Sequence, residues 1–333
     1  MPIAPIVDLQ SPPTNCFGLY QYLAQRLPGY DPSEYLREIN SAYIHVWEEV
    51  SKLKNQYFTK TKMVTVLNGQ FEYDLINNAD GALSSALSNR LYQLTRVRVL
   101  PPVGGLIQTS VAMHPNDIDF LSISANLTSP PTGTGPYYYY LTGWGSIRFG
   151  LPIQQGSKIE FVYTYWPLAL KYLTDGSVSS SGSTVTGAGT AFTQLVQPDF
   201  ASNLPAASSV DTEQLQAELV CNTGQVYRVT SITSDTQLTT AVPVAPVLSP
   251  GSIYAVAAVP EIPREHIRVI GSMAMAKMYD VAGDDSRVQE WMAIAASNMQ
   301  MMKDSLIERQ GQNPPKRGRF PYGIARRNRA FLR

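Results

Sequence analysis

Acid–base, nucleophilic or metal chemistry in this chain is sought first among its three histidines, its two cysteines and its neighbouring carboxylates. His45, His114 and His266 are scattered. His45 lies beside Val46 in a helical pattern, where a surface or packing role is expected. His114 precedes Pro115 in a loop, and His266 follows Glu265 at the start of a helix. No His-x-Glu, Cys-x-x-Cys or His-Glu-x-x-His spacing occurs, so no metal site is expected. Cys16 and Cys221 are too far apart for metal spacing or a disulfide framework and read as reduced or buried thiols. There is no Gly-x-Ser-x-Gly turn and no phosphate loop; Pro102-Val103-Gly104-Gly105 lacks the lysine and reads as a turn. Paired acids occur at Glu48-Glu49, Asp117 with Asp119, and Asp284-Asp285, among others. Neighbouring carboxylates share acid–base work only in a desolvated cleft. Glu48-Glu49 fall on a polar helix face, Asp117 and Asp119 at a strand edge or turn, and Asp284-Asp285 suit a helix N-cap. Met299, Met301 and Met302 recur at helical spacing, as packing residues do. The expectation is a protein with no catalytic residue, cofactor or metal.

Binding chemistry is concentrated at one end. Residues 309–333 hold eight Lys/Arg and no acid, which leaves 18 basic against 26 acidic residues in 1–308 of a chain with formal net charge zero. An acidic body with a basic end points to an interaction tail. In it Lys316, Arg317, Arg319, Arg326, Arg327, Arg329 and Arg333 interleave with Phe320, Tyr322 and Phe331. These types fit nucleic acid, through phosphate charge and base stacking. They fit an acidic protein groove equally, through guanidinium forks and aromatic anchors. A membrane surface would need an amphipathic face, which 316–323 lacks. A solvated terminus is the remaining reading. Composition leaves nucleic acid and protein level.

The positioning elements follow from periodicity. Hydrophobic residues are 44% and charged residues only 16% of the 333, as in a globular chain rich in β structure and loops. The opening MPIAPIVDLQSPP has no basic or apolar leader region, and no run of about 18 apolar residues predicts a membrane span. Prolines in 1–30 predict an extended arm with a short helix near Phe17–Arg26. Asp31-Pro32-Ser33-Glu34 is a helix start, followed by an apolar stripe of Leu36, Ile39, Tyr43, Val46, Val50 and Leu53, flanked by Trp47. KMVTVLNGQFEYDL predicts a hairpin about Asn68-Gly69. Strands are also expected at 91–102, 137–150 and 157–170, as an antiparallel meander or sandwich. Residues 174–258 open on a stretch in which 14 of 20 residues are Gly, Ser or Thr, and contain one basic residue, Arg228. The choice is between a linker and an inserted all-β module; strand-like pieces at 217–221, 225–233, 236–244 and 252–259 favour the module. After Pro263, Ile267, Ile270, Ala274 and Met278 share a helix face. Gly283-Asp284-Asp285 interrupts, and Val288, Trp291, Ala295, Met299, Met302 and Leu306 continue until Pro314-Pro315. This last helical segment is the expected partner of the 36–53 stripe. The fold class is therefore α+β: a helical layer from the two ends of the chain, a central antiparallel β domain, the inserted module and an extended C-terminal tail. The expected divisions are arm 1–30, core 31–173 with 259–308, module 174–258 and tail 309–333.

The segment "YLREINSAYIHVWEEVSKLKNQYFTKTKMVTVLNGQFEYDL" resembles the opening of tailed-bacteriophage head–tail adaptor proteins. Ile39-Asn40-Ser41-Ala42 and the Gly69–Tyr73 turn match that family's helix and strand–turn pattern. "PREHIRVIGSMAMAKMYDVAGDDSRVQEWMAIAASNMQMMKDSL" is similar to its closing helices. "GSTVTGAGTAFT…GQVYRVTSITSDTQLTTAVPV" resembles a β module inserted in several phage structural proteins. The resemblance covers about two-thirds of the chain in blocks of packing and turn residues. It implies a homo-oligomeric ring, usually of twelve copies, in the virion neck, assembled in the host cytoplasm. The ring docks on a portal protein through the last helix and the tail, meets a tail or nozzle protein below, and lets phage DNA pass without sequence-specific binding. The residues implied for portal docking are Lys316, Arg317, Arg319, Phe320, Tyr322, Arg326, Arg327, Arg329, Phe331 and Arg333. For tail-side contact, Tyr137–Tyr140 and Trp144 lie near Gly-rich turns; core packing claims at least two of the four tyrosines, and Tyr138, Tyr140 and Trp144 are the candidates. A wall-degrading activity finds no support in the residues.

Overall fold

The structure is a computed structural model that describes residues 13–53, 58–88, 90–102, 108–112, 137–143, 145–195 and 216–309. It is an α+β chain with helices from both ends and three largely antiparallel sheets. It divides into two compact units, one of Met1–Asn55 with Leu168–Arg333 and one of Gln56–Pro167. The 174–258 strands belong to the same unit as the helices, and 56–167 form the other.

In the first unit, α1 (Cys16–Arg26) starts on Asn15, whose Oδ1 accepts from the Gly18 N–H at 2.9 Å. Phe17, Leu19 and Leu23 are buried, so the described part of the expected arm is a core helix. The prolines that suggested an arm lie around this helix and not inside it. α2 (Pro32–Ser51) begins with the expected reciprocal cap: Asp31 accepts from the Ser33 N–H at 2.8 Å, and Glu34 accepts from the Asp31 N–H at 3.2 Å. Its buried stripe is Tyr35, Ile39, Ala42, Tyr43, Val46, Trp47 and Val50, with Leu36 and Leu53 only half-buried. Asn40 clamps the returning chain, donating to the Leu170 carbonyl at 3.0 Å and accepting from the Leu170 N–H at 2.6 Å.

Two helices close this unit, α3 (Arg268–Ala282) and α4 (Asp285–Arg309). α3 is buried on most faces and is the element against which α2 packs most extensively, with α4 on its other flank. The expected partner of α2 was the whole closing segment; the central place belongs to α3 because its small residues admit helices on several sides. Gly283, at φ 75°, supplies the left-handed residue that ends α3. Asp284 then caps α4, its Oδ1 accepting from the Arg287 N–H at 3.2 Å.

The sheet of this unit has the order β10-β11-β14-β13-β12-β15-β9, antiparallel throughout. Its strands are β9 (Tyr172–Leu173), β10 (Ser177–Ser181), β11 (Thr184–Ala188), β12 (Ala217–Cys221), β13 (Val226–Ser234), β14 (Gln237–Thr240) and β15 (Tyr254–Ala258). Val178, Val185, Phe192, Leu219, Leu238, Tyr254 and Val256 form its core. α1 lies against β15, and its Phe17 and Tyr20 rings sit 5.5 and 5.1 Å from the Tyr172 ring.

The second unit contains two four-stranded sheets around one core. β1 (Thr59–Thr65), β8 (Lys158–Tyr165), β3 (Leu91–Leu100) and β4 (Gln108–Thr109) form one, in the order β1-β8-β3-β4. β2 (Glu72–Asp74), β7 (Ser146–Phe149), β6 (Tyr138–Thr142) and β5 (Val111–Ala112) form the other, in the order β2-β7-β6-β5. Val64, Val97 and Phe161 from the first meet Tyr73, Tyr139, Ile147 and Phe149 from the second. One pair departs from the expected antiparallel pattern: β5 runs parallel to β6. The expected hairpin at Asn68-Gly69 is absent, since β1 pairs with β8 and β2 with β7. A two-residue hairpin of this type needs φ above zero at both central residues, and neither Asn68 nor Gly69 has it. Glycine is required there for proximity: a Cβ at Gly69 would stand 2.7 Å from the Ile153 carbonyl oxygen. The dipeptide is a crossing from one sheet to the other.

Candidate docking interface

The expected portal-docking residues, Lys316, Arg317, Arg319, Phe320, Tyr322, Arg326, Arg327, Arg329, Phe331 and Arg333, lie outside the described residues, as do Trp144, His114, Asp117 and Asp119. What the structure describes is the helix that leads into them. α4 buries a narrow stripe, Ala295, Met299, Met302 and Leu306, with Val288 and Trp291 half-buried on the same line. This agrees with the expected spacing. Away from the stripe, Met292, Ile294 and Met301 are exposed, at 50%, 38% and 57%. Ala293, Ala296 and Ser297 between them are exposed as well. The rest of α4's exposed surface mixes these small and apolar side chains with Gln289, Glu290, Gln300 and Asp304.

Two contacts hold α4 in place beyond packing. At its start, Arg287 donates to the Tyr279 hydroxyl at 2.8 Å, with its guanidinium 5.2 Å from that ring's centre. Towards its end, Lys303 reaches Glu49 of α2 at 2.6 Å, and Lys52 reaches the other oxygen of the same carboxylate at 2.7 Å. The hydrogen bonds from Lys303 and then Lys52 hold the Glu49 carboxyl at about 2, well below the ordinary carboxylate value. Glu49 thus fastens α4 to α2, while Glu48 is exposed.

The tyrosine run divides by strand alternation. Tyr137 and Tyr139 are buried, their rings 6.3 and 6.1 Å from Phe149, and burial raises both phenols above their ordinary value. Tyr138 and Tyr140 point to the other face and are half-buried. On that face Tyr138 stands beside Val111 and Tyr140 beside Arg148, while Thr142 bonds Glu72 at 2.6 Å. Two of the four tyrosines are therefore core, and the two nominated for contact occupy the outer face of the sheet.

Sequence reasoning passed over Glu218. It is the second residue of β12, with 2% of its surface exposed. One carboxylate oxygen accepts from Asn15 Nδ2 at 2.8 Å and from the Thr14 hydroxyl at 3.2 Å; the other accepts from Arg264, in the turn before α3. One acid thereby joins the start of α1, the sheet and the approach to α3. The available signal was a carboxylate set in an otherwise apolar strand, Ala-Glu-Leu-Val-Cys. His45 is exposed on α2, and His266 belongs to the turn Arg264–His266. Cys16 and Cys221 are free and buried, and desolvation raises both thiols. Among the described residues no three His, Cys, Asp or Glu side chains gather as a metal group, and no helix is long and apolar enough to cross a membrane. In comparisons with known proteins, no family model and no curated protein matches the chain.

Proposed function

We propose that this chain is a structural head-to-tail adaptor of a tailed-phage virion. Copies form a ring that docks on the portal through α4 and the residues after it, joins the portal to the tail, and leaves a channel for DNA. The observation that carries this reading is the outer face of α4. A long helix presents Met292, Ile294 and Met301 to solvent and runs directly into the acid-free segment 309–333. Exposed apolar side chains on a helix followed by arginines and aromatics supply anchors and charge for a protein groove. The finer architecture belongs to the same reading. Residues 309–333 act as an extended tail, and β10–β15 act as an inserted module facing away from DNA, with Arg228 as their one cation. Tyr138, Tyr140 and Trp144 meet the tail-side protein. Many weak tails on one ring bind together through effective concentration, and the net negative charge of 1–308 suits a conduit through which phosphates slide.

Removal of 310–333 tests this. The truncated chain should keep its helical and sheet signals and lose attachment to the portal, and electron microscopy of the intact protein with the portal should show a ring with a central hole. A truncated chain that still attaches refutes the docking role. A monomer that instead binds duplex DNA with steep salt dependence through the same segment establishes the nucleic-acid reading.

A further inference from the structure

We propose that Asn68 is a site of spontaneous modification, where the asparagine side chain closes on the backbone nitrogen of Gly69 and is converted to aspartate and isoaspartate. In this reaction the Gly69 nitrogen attacks Cγ of Asn68. A new N–Cγ bond forms, the bond from Cγ to the side-chain nitrogen breaks, and ammonia leaves carrying the proton given up by the Gly69 amide. The resulting five-membered imide is opened by water at either of its carbonyls. Solvent water is the only co-reactant, and no electron transfer occurs.

Four conditions favour this closure, and among the described asparagines they coincide at Asn68. The attacking nitrogen belongs to glycine, so no Cβ obstructs it; Asn68-Gly69 is the one Asn-Gly pair of the sequence. Both residues are exposed to water. The Asn68 side chain and the Gly69 N–H have no hydrogen-bond partner among the described residues; the chain is held there by the backbone N–H groups of Leu67 and Asn68, which donate to the Ala82 carbonyl at 2.7 and 3.3 Å. The segment is neither helix nor strand, so no ladder holds the Gly69 nitrogen out of reach.

The other described asparagines fail one condition or more. Asn15 is fixed at both ends by Glu218 and Gly18, Asn40 by Leu36 and Leu170, and Asn78 by Leu83. Asn298 lies within α4 and donates to Ser272. Asn77 and Asn222 are exposed, but Asn78 and Thr223 follow them, with side chains that hinder the attack. The product matters because of its position. Asn68 lies where the chain passes between the two sheets of its unit, and there is no space beside Gly69 against the Ile153 carbonyl. The iso product adds a backbone methylene and a negative charge at that crossing.

The test is to hold the folded full-length chain at mildly alkaline pH beside a denatured aliquot, and to follow each asparagine by peptide mapping with isoaspartate detection. The Asn68 peptide should convert from amide to acid, with isoaspartate the larger product, at a rate within about tenfold of the denatured chain, since an exposed irregular segment opens at little free-energy cost. Asn15, Asn40 and Asn78 should remain amides in the folded chain. Asn68→Gln should abolish the isoaspartate signal. An Asn68 that is still an amide in the folded chain when the denatured chain has converted, or a signal that persists in Asn68→Gln, overturns the assignment.

Discussion

Replacing Glu218 by alanine should release the start of α1 from the sheet. The carboxylate is 2% exposed and accepts from Asn15, Thr14 and Arg264. Each hydrogen bond to a charged group contributes about 1.5–3 kcal/mol, and an orphaned buried donor costs about 1–3 kcal/mol. Asn15 is 3% exposed, so its Nδ2 becomes such a donor, left with only a long 3.5 Å contact to Thr14. Arg264 is different: its side chain is 59% exposed and returns to water, so its share is that of a surface pair, about 0–1 kcal/mol. Removing the carboxylate also removes its own desolvation cost, which offsets part of the loss. The net expectation is about 3 kcal/mol, or about a hundredfold in local opening. A global melt of a two-unit chain is a poor reporter; native-state hydrogen exchange at the amides of Leu19–Leu23 reads the local step directly. Arg264→Ala supplies a second variant. It leaves a buried carboxylate without its cation and should also speed exchange in α1, although Arg264 itself is mostly in water. Unchanged exchange of the α1 amides in Glu218→Ala would refute the reasoning.

Lys303→Ala should return the Glu49 carboxyl from about 2 towards its ordinary value, with Lys52 retaining part of the shift. A depressed carboxyl stabilises the fold above its ordinary pKa and loses that contribution as pH falls towards 2. The acid limb of a stability–pH profile should therefore flatten in the variant, by about 1 kcal/mol for so accessible a pair; a limb identical to wild type would count against the contact. Tyr139→Ala should cost about 3 kcal/mol as a large-to-small core change, whereas Tyr138→Ala should cost about 1 kcal/mol or less. Urea titration of each variant measures the difference, and equal losses would contradict the division of the tyrosine run into core and outer residues.

Legibility in the sequence followed the range of the interaction concerned. The cap at Asp31–Glu34, the stop at Gly283 and the stripe from Ala295 to Leu306 are set by residues within a few positions of one another, and they were readable. Pairing of β1 with β8 joins residues about a hundred positions apart, and nothing in the alternation of either strand names its partner. Asn68-Gly69 misled because glycine serves two purposes, positive φ and close approach, and the dipeptide alone does not say which one applies. Glu218 was missed because its partners, Thr14-Asn15 and Arg264, lie about 200 and about 50 positions away along the chain and meet it only on folding. The tyrosine run was half legible: two core residues were expected, and strand register chose Tyr137 and Tyr139.

The same distinction bears on function. Glu49, whose carboxyl is held low, fastens α4 to α2, and the buried Glu218 fastens α1 to the sheet. Charge is therefore used inside this chain to fix helices. On α4 the exposed apolar side chains are Met292, Ile294 and Met301, and the sequence that follows is rich in Lys and Arg. A helix of 25 residues is about 37 Å long at 1.5 Å per residue. Burying only a narrow stripe of that length leaves most of its surface idle in a monomer. Fixed orientation of α4, enforced at Tyr279 and at Glu49, is costly to maintain for a face that does nothing. A held orientation is compatible with the docking proposed for α4, whose exposed surface carries Ile294 and Met301 on one side and Met292 on the other.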